Sequence, residues 1–133
     1  MKRDHLKVDL HIHSSHSPDS RVTLKEIIQE AKRKKLDVIA ITDHGTVAGA
    51  QEAQLLARGI QILIGQEVKT KSGDLLVFNL EEALKEGEDI VKTCKRAREA
   101  GGRDRADWPR RLRVDEDRNP RAWRHVRRCP GSP

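Results

Sequence analysis

His11 and His13 stand two residues apart in DLHIHSSHSPDS, residues 9–20. On an extended strand that spacing sends both imidazoles to one face, where they can share an ion at about 2.0–2.1 Å. Asp19 follows in the same stretch, His44 lies in ITDHGT (residues 41–46), and Glu67 lies in GQEV (residues 65–68). Imidazole with carboxylate suits zinc, manganese or iron, and a carboxylate such as Glu67 can bridge two ions. The pattern therefore predicts a divalent metal centre. Each residue also has an ordinary use. The two His could be solvated surface side chains, Asp19 could make a turn in Ser17-Pro18-Asp19-Ser20, and His16 in the same loop fits either role. His5 and His125 read as solvated, and Lys32–Lys35 reads as a charged outer helix face.

The elements that must position these residues alternate. Val8–His13 has strand period, with Val8, Leu10 and Ile12 facing one way and Asp9, His11 and His13 the other. Thr23 with Glu26 reads as a capping box opening a helix to about Lys35. Val38–Ile41 reads as a strand buried on both faces, delivering Asp43 and His44 to a turn at Gly45. A second helix is expected over Val47–Ala57, ending at Gly59. Ile60–Ile64 reads as a third strand ahead of Glu67, and Leu75–Phe78 as a fourth. A last helix is expected over Glu81–Ala100. The order β-α-β-α-β-β-α predicts an α/β fold with a largely parallel sheet, and the metal-capable residues fall near strand ends, where such folds gather ligands.

The 133 residues suit one domain. The formal charge of +6 is unevenly spread, because residues 102–133 carry ten Arg, no Lys and five acidic residues, together with both Trp and four of the five Pro. Two compositions thus meet near Gly101-Gly102, giving a domain over residues 1–101 and an Arg-rich tail over 102–133. No apolar run suits export or a membrane span, so a cytoplasmic chain is expected. Cys94 and Cys129 lie in the two different segments, and neither a disulfide framework nor a cysteine zinc site is expected; Cys94 reads as a small buried helix residue.

In order and spacing, the three metal-capable stretches resemble the first three motifs of the PHP (polymerase and histidinol phosphatase) family. The resemblance spans residues 8 to about 101. It implies an α/β fold that is a partial distorted (β/α) barrel of PHP type, truncated after about residue 101. By the same resemblance His11, His13 and Glu67 are ligands of one metal, Asp19 and His44 of another, and Glu67 also bridges to a third. Asp43 is the catalytic candidate, backing a ligand or carrying a proton. The cofactors implied are divalent transition metals (manganese, zinc or iron), up to three. The activity implied is hydrolysis of a small phosphate ester or nucleotide by metal-bound hydroxide.

After Gly101-Gly102 the family pattern continues with an apolar strand ending in His-Pro and with further His and Asp ligands. This chain reads RDRADWPRRLRVDEDRNPRAWRHVRRCPGSP instead. Its apolar content is too low to offset the entropy of ordering, so disorder is expected over 103–133. If its Arg codons are CGN, a one-base shift across Arg103–Arg110 permits Val-Ile-Val-Leu-Ile-Gly-His, the reading of an out-of-frame stretch. Weak turnover is expected of the chain as it stands. One alternative is a non-catalytic metal-binding remnant. Another is nucleic-acid binding by the Arg-rich tail, with Trp108 and Trp123 as stacking surfaces.

Overall fold

The computed structural model describes residues 5–104, 112–114 and 126–130. Strand β1 spans Leu6–Ile12, helix α1 Leu24–Arg33, β2 Val38–Ile41, α2 Ala48–Leu56, β3 Gln61–Thr70, β4 Gly73–Phe78 and α3 Ile90–Glu99. Three short strands follow: β5 (Arg103–Asp104), β6 (Leu112–Val114) and β7 (Val126–Arg127). The sheet order is β5-β4-β3-β2-β1-β6, with β7 beside β4. Pairing is parallel for β1 with β2, β2 with β3, β1 with β6 and β4 with β7. It is antiparallel for β3 with β4 and β4 with β5. The sheet is therefore mixed, consistent with a partial PHP-type barrel, and its parallel part is the portion that carries both helix crossovers.

Local chemistry accounts for the elements around the site. Thr23 accepts from the Glu26 amide while Glu26 reaches back to the Thr23 amide, the reciprocal cap expected at the start of α1. Leu24, Ile27 and Ala31 then bury one helical stripe against Ile39 and Ile41 of β2 and Ala50 and Ala53 of α2. All four residues of β2 are buried, which fixes the strand with helices on one face and the barrel interior on the other. That interior face holds Val8, Leu10, Val38, Ala40, Leu76 and Phe78. Burying each large apolar side chain there contributes roughly 1.5–3 kcal/mol.

Four expectations are corrected. In β1 the register shifts between Asp9 and Ile12. Val8 and Leu10 consequently face the interior while Ile12 packs on the helix side, so the three do not share a face. The last helix starts at Ile90 rather than Glu81. Asp89 caps it by accepting from the Val91 and Lys92 amides, and Gly87 at φ +83° turns the chain just before it. Strand β3 runs on to Thr70, because its second half pairs antiparallel with β4. Finally, Cys94 and Cys129 form a disulfide with Cα atoms 5.7 Å apart. Strand β7 alongside the start of β4 brings Cys129 into a cluster with Val68, Leu75, Val77, Leu80 and Ala97, beside Cys94 of α3.

The boundary expected near residue 101 is followed by β5, so chain after Gly102 joins the sheet at β4. The expected disorder over 103–133 falls largely outside the described residues, as do Trp108, Trp123 and His125. Among the described residues no helix is long and apolar enough to cross a membrane.

Candidate metal centre

Glu67 lies inside β3, where the parallel part of the sheet gives way to the antiparallel hairpin. Its Oε2 meets His11 Nε2 at 2.5 Å and His13 Nε2 at 2.6 Å. The displaced register of β1 allows this, since Leu10 fills the interior and the next side chain, His11, still reaches Glu67 on β3. Bulges re-aim side chains in this way near functional sites. On its other nitrogen, Nδ1, His13 faces Asp19 at 2.9 Å and 3.0 Å. The hydroxyl of Ser17 holds Asp19 in place by donating to its carboxylate.

His44 follows β2, and its Nδ1 lies 2.9 Å from the carbonyl oxygen of Glu67. A carbonyl only accepts, so Nδ1 donates and Nε2 is the nitrogen left to face an ion. That Nε2 points toward Asp19 Oδ2 at 3.6 Å and Glu67 Oε2 at 3.9 Å. Metal-bound His residues are oriented in this manner, one nitrogen donating to a backbone carbonyl or carboxylate and the other presented to the ion. Three sets of potential ligands result among the described residues: His11, His13 and Glu67; His13, Asp19 and His44; and His44, Glu67 and Asp74. Within each set the ligand atoms lie within 4.8 Å of one another. Imidazole nitrogen with carboxylate oxygen is the donor chemistry of zinc, manganese or iron, so the residues fit such ions.

The charges interlock. Burial works to lower the His13 pKa, but hydrogen bonds to Glu67 and Asp19 and the charges of both carboxylates outweigh it and push it up to about 9. Burial opposes ionisation of Glu67 too, yet hydrogen bonds from His11 and His13 hold it well below the usual carboxylate range. Asp19 is likewise lowered, burial being outweighed by the Ser17 hydroxyl and by His13. Asp74 moves the opposite way, raised first by burial and then by facing Glu67.

Asp43 belongs to none of the three sets. It is 1% exposed; its Oδ1 accepts the Ser14 amide at 2.6 Å and its Oδ2 the Ser14 hydroxyl at 2.6 Å. Residue 49 must be glycine for this clamp to fit, since a Cβ there would sit 2.6 Å from Asp43 Oδ2 and 2.7 Å from Ser14 Oγ. Gly49→Ala should therefore lower stability by about 1–3 kcal/mol. Thermal melting checks this, and an unchanged midpoint would show that the loop gives way freely. His16 also stands apart from the three sets, with Nε2 3.2 Å from Glu52 and Nδ1 3.4 Å from the Ser14 hydroxyl. Asp9 accepts the His11 amide, and in the Lys32–Lys35 run Arg33 and Lys34 pair with Glu30.

The sequence profile of the PHP domain matches residues 9–115. The chain belongs to the PHP family. It is 34% identical over 109 residues to an uncharacterized protein of Methanocaldococcus jannaschii, covering 73% of this chain and 64% of that one. It is 38% identical over 66 residues to a 5'-3' exoribonuclease of Haemophilus influenzae, covering 48% and 24%. Over 64 residues it is 38% identical to a DNA polymerase III subunit alpha of Treponema pallidum, covering 46% and 6%. This PHP chain thus spans less than two thirds of the length of each relative.

All five ligand candidates of the sequence, His11, His13, Asp19, His44 and Glu67, come together in the first two sets. Asp74, in the third set, is absent from the sequence reading. Ending β3 at Ile64 hid the hairpin that carries it. The signal was Lys71-Ser72-Gly73, a turn that folds β4 back along β3 and pairs Asp74 with Lys69.

Proposed function

We propose that this PHP chain is a metal-dependent phosphoesterase domain, hydrolysing a phosphate ester at the centre built on Glu67. The observation that carries this reading is the meeting of two imidazoles, from His11 and His13, on one buried carboxylate oxygen. In the proposed centre His11, His13 and Glu67 hold one divalent ion, manganese, zinc or iron, while Asp19 and His44 line the adjoining position. When bound, such ions lower the pKa of water and neutralise phosphate oxygens.

The protein's own residues orient and exclude. Asp19 fixes the His13 ring through Nδ1, and the Glu67 carbonyl fixes the His44 ring. Asp43, with both oxygens taken by Ser14, acts by tying the loop after β1 to the end of β2 and so keeps His13 beside His44. Of the two roles expected for Asp43, the geometry favours backing the ligands over carrying a proton. The substrate class proposed is a small phosphate ester or a nucleotide, and the exoribonuclease relative supports the nucleotide form.

Hydrolysis of an aryl phosphate and of an aryl phosphodiester, with added manganese or zinc, tests the reading. Slow, ion-dependent turnover that disappears in Glu67→Ala is the expected result. Turnover that survives chelation or the Glu67 substitution would overturn it. Tight ion binding without turnover would leave a metal-binding remnant.

A further inference from the structure

We propose that Glu86 is a positioning residue for His44, holding the turn after β2 so that the imidazole stays aimed at the metal centre. The inference rests on the preceding reading that the centre holds metal, and it concerns a side chain that none of the three ligand sets contains.

Glu86 lies on a strap, residues 79–89, that joins β4 to α3. The strap is fixed to the elements around it at successive points. Gln51 of α2 donates from its side chain to the Glu81 carbonyl. Gln66, fully buried in β3, accepts the Leu84 amide at 2.7 Å and donates to the Leu84 carbonyl at 3.1 Å. The Gly87 amide donates to the Lys69 carbonyl at 2.7 Å, and Gly87 turns the chain there at φ +83°. These bonds satisfy backbone groups in a stretch that makes no helix of its own, and they hold residues 84–87 against β3.

Glu86, between those anchors, reaches the turn that carries His44. Its Oε1 accepts the Gly45 amide at 3.1 Å. That amide belongs to the peptide unit joining His44 to Gly45, so the bond fixes the backbone from which the imidazole projects. Gly45 has φ +72°, and the chain reverses at this point. The same Oε1 lies 3.9 Å from His44 Nδ1, the nitrogen that donates to the Glu67 carbonyl. A negative charge there favours the tautomer with hydrogen on that side and leaves Nε2 toward Asp19 and Glu67. With 30% of its side chain exposed, Glu86 is screened less than an open surface charge. The other acidic side chains of the strap are placed differently. Glu88 is engaged by Lys85 and Arg96, while Glu81 and Glu82 are exposed.

The experiment takes the full chain, stripped by chelator, as wild type, Glu86→Ala, Glu86→Gln and Glu82→Ala. Manganese affinity is measured by calorimetry, thermal midpoints check the fold, and hydrogen exchange of the Gly45 amide is followed without metal. Glu86→Ala should bind manganese at least about tenfold more weakly, the cost of losing a residue that supports a ligand. Its Gly45 amide should also exchange at least about tenfold faster, as the local hydrogen bond is gone. Glu86→Gln keeps an oxygen for that amide, and should restore slow exchange and bring affinity within about threefold of wild type, since only a partly screened charge is lost. Glu82→Ala should match wild type throughout. Wild-type affinity or an unchanged Gly45 exchange rate in Glu86→Ala would overturn the proposal and leave the metal centre standing. Equal loss of affinity in Glu86→Gln and Glu86→Ala would overturn it too, because the hydrogen bond would then position nothing. A Glu86→Ala chain that does not fold would show that the residue serves the strap and not His44. No manganese bound by wild type would bring down the centre itself, and this proposal with it.

Discussion

Glu67→Ala should weaken manganese or zinc binding by more than about a hundredfold, beyond the roughly 10–100-fold cost of losing a residue that merely supports a ligand. Glu67 contacts both His11 and His13 and also belongs to the set with His44 and Asp74, so one substitution removes a donor from two positions. It also removes a carboxylate that keeps His13 protonated. With that partner gone, burial opposes the charge more effectively, and the His13 midpoint should fall from about 9. Calorimetric titration with the ion and an NMR titration of His13 give two independent readouts. His16→Ala serves as the control and should change ion binding little, because His16 turns toward Glu52. Ion affinity in Glu67→Ala equal to wild type would remove Glu67 from the centre.

The second large effect should come from the disulfide. Cys94 and Cys129 are 35 residues apart, and closing a loop of that length restricts the unfolded chain by about 4 kcal/mol in the chain-entropy account. The link also ties β7, which pairs with β4, to α3, and Cys129 is 5% exposed among Val68, Leu75 and Leu80. Urea unfolding with and without reductant should show a drop of about 2–4 kcal/mol in wild type and none in a Cys94→Ser, Cys129→Ser double variant. The same midpoint for wild type in both conditions would mean that the cross-link constrains nothing.

What could be read from the sequence followed the range of the forces involved. The Thr23–Glu26 cap, the buried β2 and the Leu24, Ile27, Ala31 stripe depend on neighbours within a turn or on simple periodicity, and all three stand as expected. The five ligand candidates were legible because their spacing is fixed by short strand-to-loop connections. What failed depended on pairing between distant segments. The extension of β3 needs β4 as partner, and Asp74 enters the site only through that pairing. The Cys94–Cys129 link needs β7 beside β4 across a break in composition. The helix expected from residue 81 was lost to contacts outside its own segment. The Gln66 side chain bonds both the amide and the carbonyl of Leu84, and the Gly87 amide bonds the Lys69 carbonyl, so residues 84–87 are held to β3 in a non-helical path.

The displaced register in β1 acts as a phase shifter for the strand. Ahead of it the even-numbered residues Val8 and Leu10 look inward, and beyond it the odd-numbered His11 and His13 do. One short strand thereby supplies both hydrophobic filling and metal-capable groups to a single surface, at consecutive positions where a regular strand would have to alternate them. A regular strand of the same length, with no shift at this point, would turn either the apolar pair or the imidazole pair to the wrong side. In a deep mutational scan, Leu10 and His11 should therefore form an adjacent pair of intolerant positions with opposite demands, the first rejecting polarity and the second rejecting its loss.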